Sequence, residues 1–150
     1  MGRTDRGWIS EGLGVYASRL KHYVQFRLIE IPELRNTASL TQEQIKEKEG
    51  ELLLGAIRST DEVILLDEHG REYRSVEFSA MLQEKMARSG RDLVFVIGGP
   101  YGFSERVCSR ADMKMSLSKM TFSHQMVRAI FAEQLYRAFT ILRGEPYHHE

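Results

Sequence analysis

Three short stretches of this chain carry residue types that chemistry needs. Near the carboxyl end, Tyr147-His148-His149 gathers a phenol and two imidazoles, groups able to hydrogen-bond the edge of a base or to move a proton near neutral pH. A frayed terminus is the competing reading. Gly98-Gly99-Pro100-Tyr101-Gly102 follows an apolar run, and small residues there let backbone amides approach a ligand at the carboxyl edge of a parallel sheet. It is neither a dinucleotide G-x-G-x-x-G nor a P-loop, because no Gly-Lys-Ser or Gly-Lys-Thr follows, so phosphate cradling is disfavoured. A tight strand-to-helix turn would use the same residues. Leu117-Ser118-Lys119-Met120-Thr121-Phe122 mixes apolar side chains with hydroxyls and could wrap an aromatic ring while offering backbone hydrogen bonds. An ordinary strand exit, with Ser123 capping the next helix, is the plainer reading of these residues taken alone.

Other reactive side chains fit plainer roles. Cys108 is the one cysteine, so no internal disulfide forms, and in a short polar helix it reads as a small buried side chain before a catalytic thiol. His148 and His149 have no third ligand at metal-binding spacing, and no metal is expected. His124 suits a cap or a packing contact as well as a ligand contact. Lys plus Arg equals Asp plus Glu at 21 each, so nucleic acid must be met by a local surface, not by a global field. Between residues 103 and 143, Arg106, Arg110, Lys114, Lys119, Arg128, Arg137 and Arg143 outnumber Glu105, Asp112 and Glu133. That excess is where RNA phosphate contacts are expected, unless these are ordinary solvated side chains.

The elements that must position these stretches alternate between helix and strand, which implies an α/β fold with a largely parallel sheet. At 150 residues a single domain over residues 1–150 is expected. The spacing of Trp8, Ile9, Leu13, Tyr16, Ala17 and Leu20 predicts a helix, and residues 23–31 alternate as a strand up to Pro32. Thr41 with Gln44 matches a capping box opening a helix over 42–57. Residues 62–66 read as a buried strand ending at Asp67, with turn residues 68–70 before a helix over 75–88. Residues 93–97 are the most apolar run, which suits a central strand covered on both faces. A short helix over 104–110, a short strand over 114–117 and a loop over 118–122 follow. The longest helix covers 124–142, with Met126, Val127, Ile130, Phe131, Leu135, Phe139 and Leu142 on one stripe, and is ended by Gly144 and Pro146. The apolar runs are far shorter than the roughly 20 residues of a membrane helix. Cytoplasmic localisation is expected, without a membrane partner.

Taken together, Leu65-Leu66-Asp67-Glu68-His69-Gly70, Val94-Phe95-Val96-Ile97-Gly98-Gly99-Pro100-Tyr101-Gly102, Leu117-Ser118-Lys119-Met120-Thr121-Phe122, Leu135-Tyr136-Arg137-Ala138 and Gly144-Glu145-Pro146-Tyr147-His148-His149 resemble the ribosomal RNA large-subunit methyltransferase H family. The resemblance implies a SPOUT methyltransferase with a carboxyl-terminal trefoil knot, working as a homodimer on the assembled ribosome. It implies methyl transfer from S-adenosylmethionine to N3 of a pseudouridine in helix 69 of 23S rRNA. Carried over by motif, Leu66, Gly98, Leu117, Ser118, Lys119, Met120, Thr121 and Phe122 would line the cofactor site. Tyr147 and His148 would lie at the methyl acceptor, with Arg128, Arg137 and Lys119 as candidate RNA contacts. The family begins with an apolar strand ahead of a Val-Gly pair, and here Met1-Gly2-Arg3 stands at that pair, so the first strand is expected to be missing and a slot or sheet edge left unpaired. Ser123 also stands where proline is common. Two other classes compete: a non-catalytic ribosome- or RNA-binding α/β module, told apart by loss of S-adenosylmethionine binding, and a flavodoxin-like small-molecule enzyme, which the tail motif counts against.

Overall fold

The computed structural model describes residues 1–88 and 90–149. Their order is α1 (Trp8–Leu20), α2 (Gln42–Ala56), β1 (Glu62–Glu72), α3 (Ser75–Arg88), β2 (Leu93–Ile97), α4 (Glu105–Arg110), β3 (Met113–Ser116) and α5 (Met126–Leu142). Both arms of the capping box at α2 form: Thr41 Oγ1 accepts from the Gln44 amide, and the Gln44 side chain accepts from the Thr41 amide. Ser104 caps α4, and Ser123 Oγ accepts from the Met126 amide at the start of α5. Gly144, at φ 65°, follows the end of α5.

The sheet is parallel, in the order β2-β1-β3. Alternation along β1 supplies both of its faces. Ile64 joins Leu20, Phe78, Leu82, Met115, Phe131, Leu135 and Phe139 in a core shared with α1, α3 and α5. Val63 and Leu65 point the other way, into a core with Leu53 of α2, Val96 and Val107 of α4. Helices therefore cover both faces, as a parallel sheet requires.

The sheet departs from the sequence-based expectation in three places. β1 does not stop at Asp67: after a register shift between Leu66 and Arg71, Arg71 and Glu72 pair with Met115 and Ser116. Gly70 permits this, because a side chain there would meet the Met115 backbone nitrogen at 2.5 Å. β2 lies at the edge, not the centre, despite its apolar composition. Residues 23–31 form no strand.

The last two departures have one cause, a slot of about 560 Å³ between the free edge of β2 and residues 24–31. At one end Arg27 reaches Asp92 at 2.8 Å. At the other, the Met1 ammonium donates to the Ile97 carbonyl and the Gly2 amide to the Ile31 carbonyl, each at 2.7 Å. The two segments thus run alongside each other, too far apart to bond directly, and an alternating pattern with no partner makes no strand.

Candidate functional site

The parallel strands deliver their carboxyl ends to one side, where ligands of open α/β sheets bind. There the chain encloses a cavity of about 660 Å³, within the range of small-molecule sites. Residues 98–102 leave β2 to form one wall; residues 115–118 and 120–122 leave β3 to form another; Leu66 to His69 supply a third. Of the expected cofactor residues, Leu66, Gly98, Leu117, Ser118, Met120, Thr121 and Phe122 line this one cavity. Lys119 does not; its residue is exposed. The start of α2, with Gln42, Glu43 and Lys46, also lines it. Sequence reading missed these three, although their spacing of four places Gln42 and Lys46 on one helix face.

The turn at 98–102 needs its glycines. A Cβ on Gly98 would lie 3.1 Å from the Phe103 ring, and one on Gly99 would lie 2.4 Å from Glu49 Oε2. Gly102 holds φ at 80° and donates to the Gly99 carbonyl at 3.2 Å. Behind the turn Glu49 is buried, and its Oε2 has no hydrogen-bond partner among the described residues. Burial pushes its carboxyl pKa up, against the pull of the Met1 ammonium.

The facing segment is held by its own hydroxyls. Ser116 Oγ donates to the Ser118 carbonyl at 2.8 Å, the Met120 amide donates to Ser118 Oγ at 2.9 Å, and Thr121 Oγ1 donates to Glu68 at 3.0 Å. Asp67 fixes the third wall through the His69 amide at 2.9 Å and the Lys114 ammonium at 3.3 Å. Burial opposes its ionisation, yet these donors hold the Asp67 carboxyl below its usual range. Met120 and Phe122 stand exposed at the mouth, where they can close over a flat ring.

The tail lies elsewhere. Tyr147 donates to Glu133 Oε1 at 3.1 Å and sits 3.5 Å from the Tyr16 hydroxyl. Its ring meets Tyr136 edge-on at 4.8 Å, under the Arg137 guanidinium. Burial first, then the bonds to Tyr16 and Glu133, push the Tyr147 phenol well above its ordinary range. Arg137 Nη1 approaches His148 Nδ1 at 3.4 Å. A guanidinium has no acceptor, so this contact puts a lone pair on Nδ1 and the ring proton on Nε2. Glu145 anchors the preceding turn through Tyr23, whose phenol this bond pushes up to about 12. Neither Tyr147 nor His148 lines the cavity. Val127 of α5 does, and Glu133 is six residues on, roughly 9 Å along the axis and about a third of a turn round it. Glu150 lies outside the described residues.

The expected RNA contacts separate by burial. Arg128 is 5% exposed and donates to the carbonyls of Met1 and His124 and to Thr4 Oγ1, so it presents no charge to a phosphate. Arg137 is held by Glu133 at 2.6 Å, and Lys119 is open to solvent. Among the described residues no group of three His, Cys, Asp or Glu side chains could hold a metal ion, and Cys108 is half-buried away from the cavity.

A family model described as "Predicted SPOUT methyltransferase" matches residues 1–148. The chain is similar to proteins named Ribosomal RNA large subunit methyltransferase H. It is 54% identical over 150 residues to that of Parabacteroides distasonis, 55% to that of Bacteroides fragilis and 54% to that of Flavobacterium johnsoniae. Each match covers 100% of this chain and 96% of the relative.

Proposed function

Because the chain belongs to the SPOUT methyltransferase family, and within it to the ribosomal RNA large subunit methyltransferase H group, we propose that it transfers a methyl group from S-adenosylmethionine to N3 of a pseudouridine in helix 69 of 23S rRNA on the ribosome. One observation carries the reading: residues 98–102 and 117–122, far apart in sequence, wall a single cavity with Leu66 between them.

That cavity suits the cofactor. Leu66, Leu117, Met120 and Phe122 offer apolar surface for a purine, and Gly98 brings backbone close. Glu43 is paired with Lys46 and Asp67 with Lys114, which leaves Glu68 as the acid of the lining best placed to meet a positively charged group of the ligand. When bound, the cofactor supplies an electrophilic methyl on a sulfonium. The chain's own work is to hold acceptor and donor in line, to exclude water, and to manage the N3 proton of the base. Tyr147 and His148 assist in the last as hydrogen-bond partners at the acceptor. Lys119 takes a phosphate contact at the rim.

The proposal includes a homodimer, in which the tail of one copy serves the cavity of the other, and the trefoil knot of the family. What supports the dimer is the placement of Tyr147 and His148 outside the cavity of their own chain.

Calorimetric titration with S-adenosylmethionine, followed by methylation assays on ribosomes with and without pseudouridine, tests the reading. Saturable binding and methylation that needs the pseudouridine are expected. Failure to bind the cofactor would leave a ribosome-binding module instead, and equal methylation of both ribosomes would remove the assigned substrate.

A further inference from the structure

The tail is held by a line of hydrogen bonds whose direction can be read. Tyr147 has one proton, and it goes to Glu133 Oε1 at 3.1 Å. In the 3.5 Å contact between the two phenols, Tyr16 must therefore be the donor and Tyr147 the acceptor. Glu133 Oε1 is fully used, since Arg137 Nη2 also donates to it at 2.6 Å, while Gln134 Nε2 donates to Oε2 at 2.7 Å. The ring of Tyr147 is pinned between Tyr136 and the Arg137 guanidinium, so its hydroxyl cannot swing to another partner without breaking these contacts.

We propose that Glu133 is a positioning residue for the tail: it turns the Tyr147 proton into the protein and leaves the remaining phenol lone pair as the group that meets an N–H of the substrate base. The inference rests on the reading of the tail given above and refines it, since Tyr147 then acts as a hydrogen-bond acceptor toward the base. Burial first, and the Glu133 carboxylate with it, keep the proton on the Tyr147 phenol. Arg137 belongs to the same device. Its guanidinium neutralises Glu133, covers the Tyr147 ring and fixes Nδ1 of His148, so its charge is spent inside the protein.

The test compares the full-length wild type with E133Q, Y147F and the double variant E133Q/Y147F. Methylation of ribosomes at saturating S-adenosylmethionine, cofactor affinity, and the ultraviolet titration of tyrosinate are followed. E133Q should lose about tenfold or more in turnover, with cofactor affinity unchanged. The double variant should be no slower than Y147F, because Glu133 acts through that hydroxyl. One tyrosine should ionise at lower pH in E133Q than in the wild type, and that difference should vanish in the Y147F background. Multiplicative losses in the double variant, wild-type turnover in E133Q, or an unmoved tyrosine titration would each overturn the inference while leaving the proposed function standing. Wild-type turnover in Y147F would sink the assignment of the tail, and this inference with it.

Discussion

The carboxylate of Glu49 occupies the space that a side chain on residue 99 would need: a Cβ there would lie 2.4 Å from Oε2 and 2.9 Å from Oε1. One glycine in the wall of the candidate cofactor cavity is thus shaped from behind by a buried acid on α2, and the pair can be tested from both sides.

From the glycine side, G99A must displace either Glu49 or the turn. Glu49 is buried, and its carboxylate, the far end of a flexible side chain, must move aside if the turn is to keep its shape. A loss of tenfold or more in affinity for S-adenosylmethionine is expected, about 1.4 kcal/mol per tenfold, with a lower melting temperature. G102A is the comparison. Nothing crowds a Cβ there, but φ is 80°, so the cost is strain of about 1–2 kcal/mol and the effect falls on stability. Calorimetry and thermal melts separate the two variants, and equal cofactor affinity in G99A and wild type would refute the role given to the pair.

From the acid side, the sign follows from the raised pKa of Glu49 above its ordinary 4.5. A carboxyl that is more basic folded than unfolded favours the folded state at low pH and loses that contribution as pH rises through the folded pKa. The wild type should therefore lose stability relative to E49Q as pH climbs above about 4.5. E49Q should melt higher at neutral pH, since an amide needs no charge in that place. Melting curves of both proteins across this window check it, and parallel pH profiles would contradict it.

Much of this architecture is legible in the sequence, and the gaps have physical causes. The helix from Gln42 is plain because Thr41 and Gln44 carry its start in four residues. The cavity walls at 98–102 and 117–122 stand out in composition, but the same residues would serve as a turn and a strand exit, and only their meeting in one cavity separates the two readings. The continuation of β1 past Asp67 is not plain, since it depends on Met115 and Ser116 arriving beside Gly70 from far along the chain. The run at 93–97 carries the composition of a central strand and takes an edge, because the neighbour its free side would need is not beside it. Burial of Arg128 escaped notice for a related reason: its partners, the carbonyls of Met1 and His124 and the Thr4 hydroxyl, leave no mark in sequence. Glu133, four residues before Arg137, did show an ion-pair spacing, but nothing local announced that Tyr147 would fold back onto it.

Arg128 and Lys119, grouped together as basic residues, should behave differently. R128Q leaves buried carbonyls short of a donor and should cost about 2–3 kcal/mol of stability, without altering the salt dependence of ribosome binding. K119A should leave the melting temperature unchanged and make ribosome binding less sensitive to salt, by roughly one phosphate contact. Denaturation curves and binding at several salt concentrations distinguish them, and a reversed pattern would exchange their roles.

H148A removes a ring whose Nε2–H the Arg137 contact makes a donor. Cofactor affinity should persist, because the residue is not part of the cavity wall, while methyl transfer should fall about a hundredfold if His148 assists at the acceptor. Single-turnover assays and calorimetry on the same preparation decide it, and an unaltered rate would take His148 out of the mechanism.

Hydrogen exchange should register the slot directly. Amides of residues 64–66, paired on both sides, should exchange slowly, and those of residues 24–31 faster by several orders of magnitude. Equal protection would mean that these residues have found sheet partners in solution.

An unsatisfied strand edge is also a colloidal property. Residues 93–97 combine β-branched and aromatic side chains with an edge of amides and carbonyls that, the Ile97 carbonyl held by Met1 aside, no neighbouring strand among the described residues takes up, which is the template on which one molecule recruits another into a growing ribbon. The shelf life of concentrated samples would then be set at that rim.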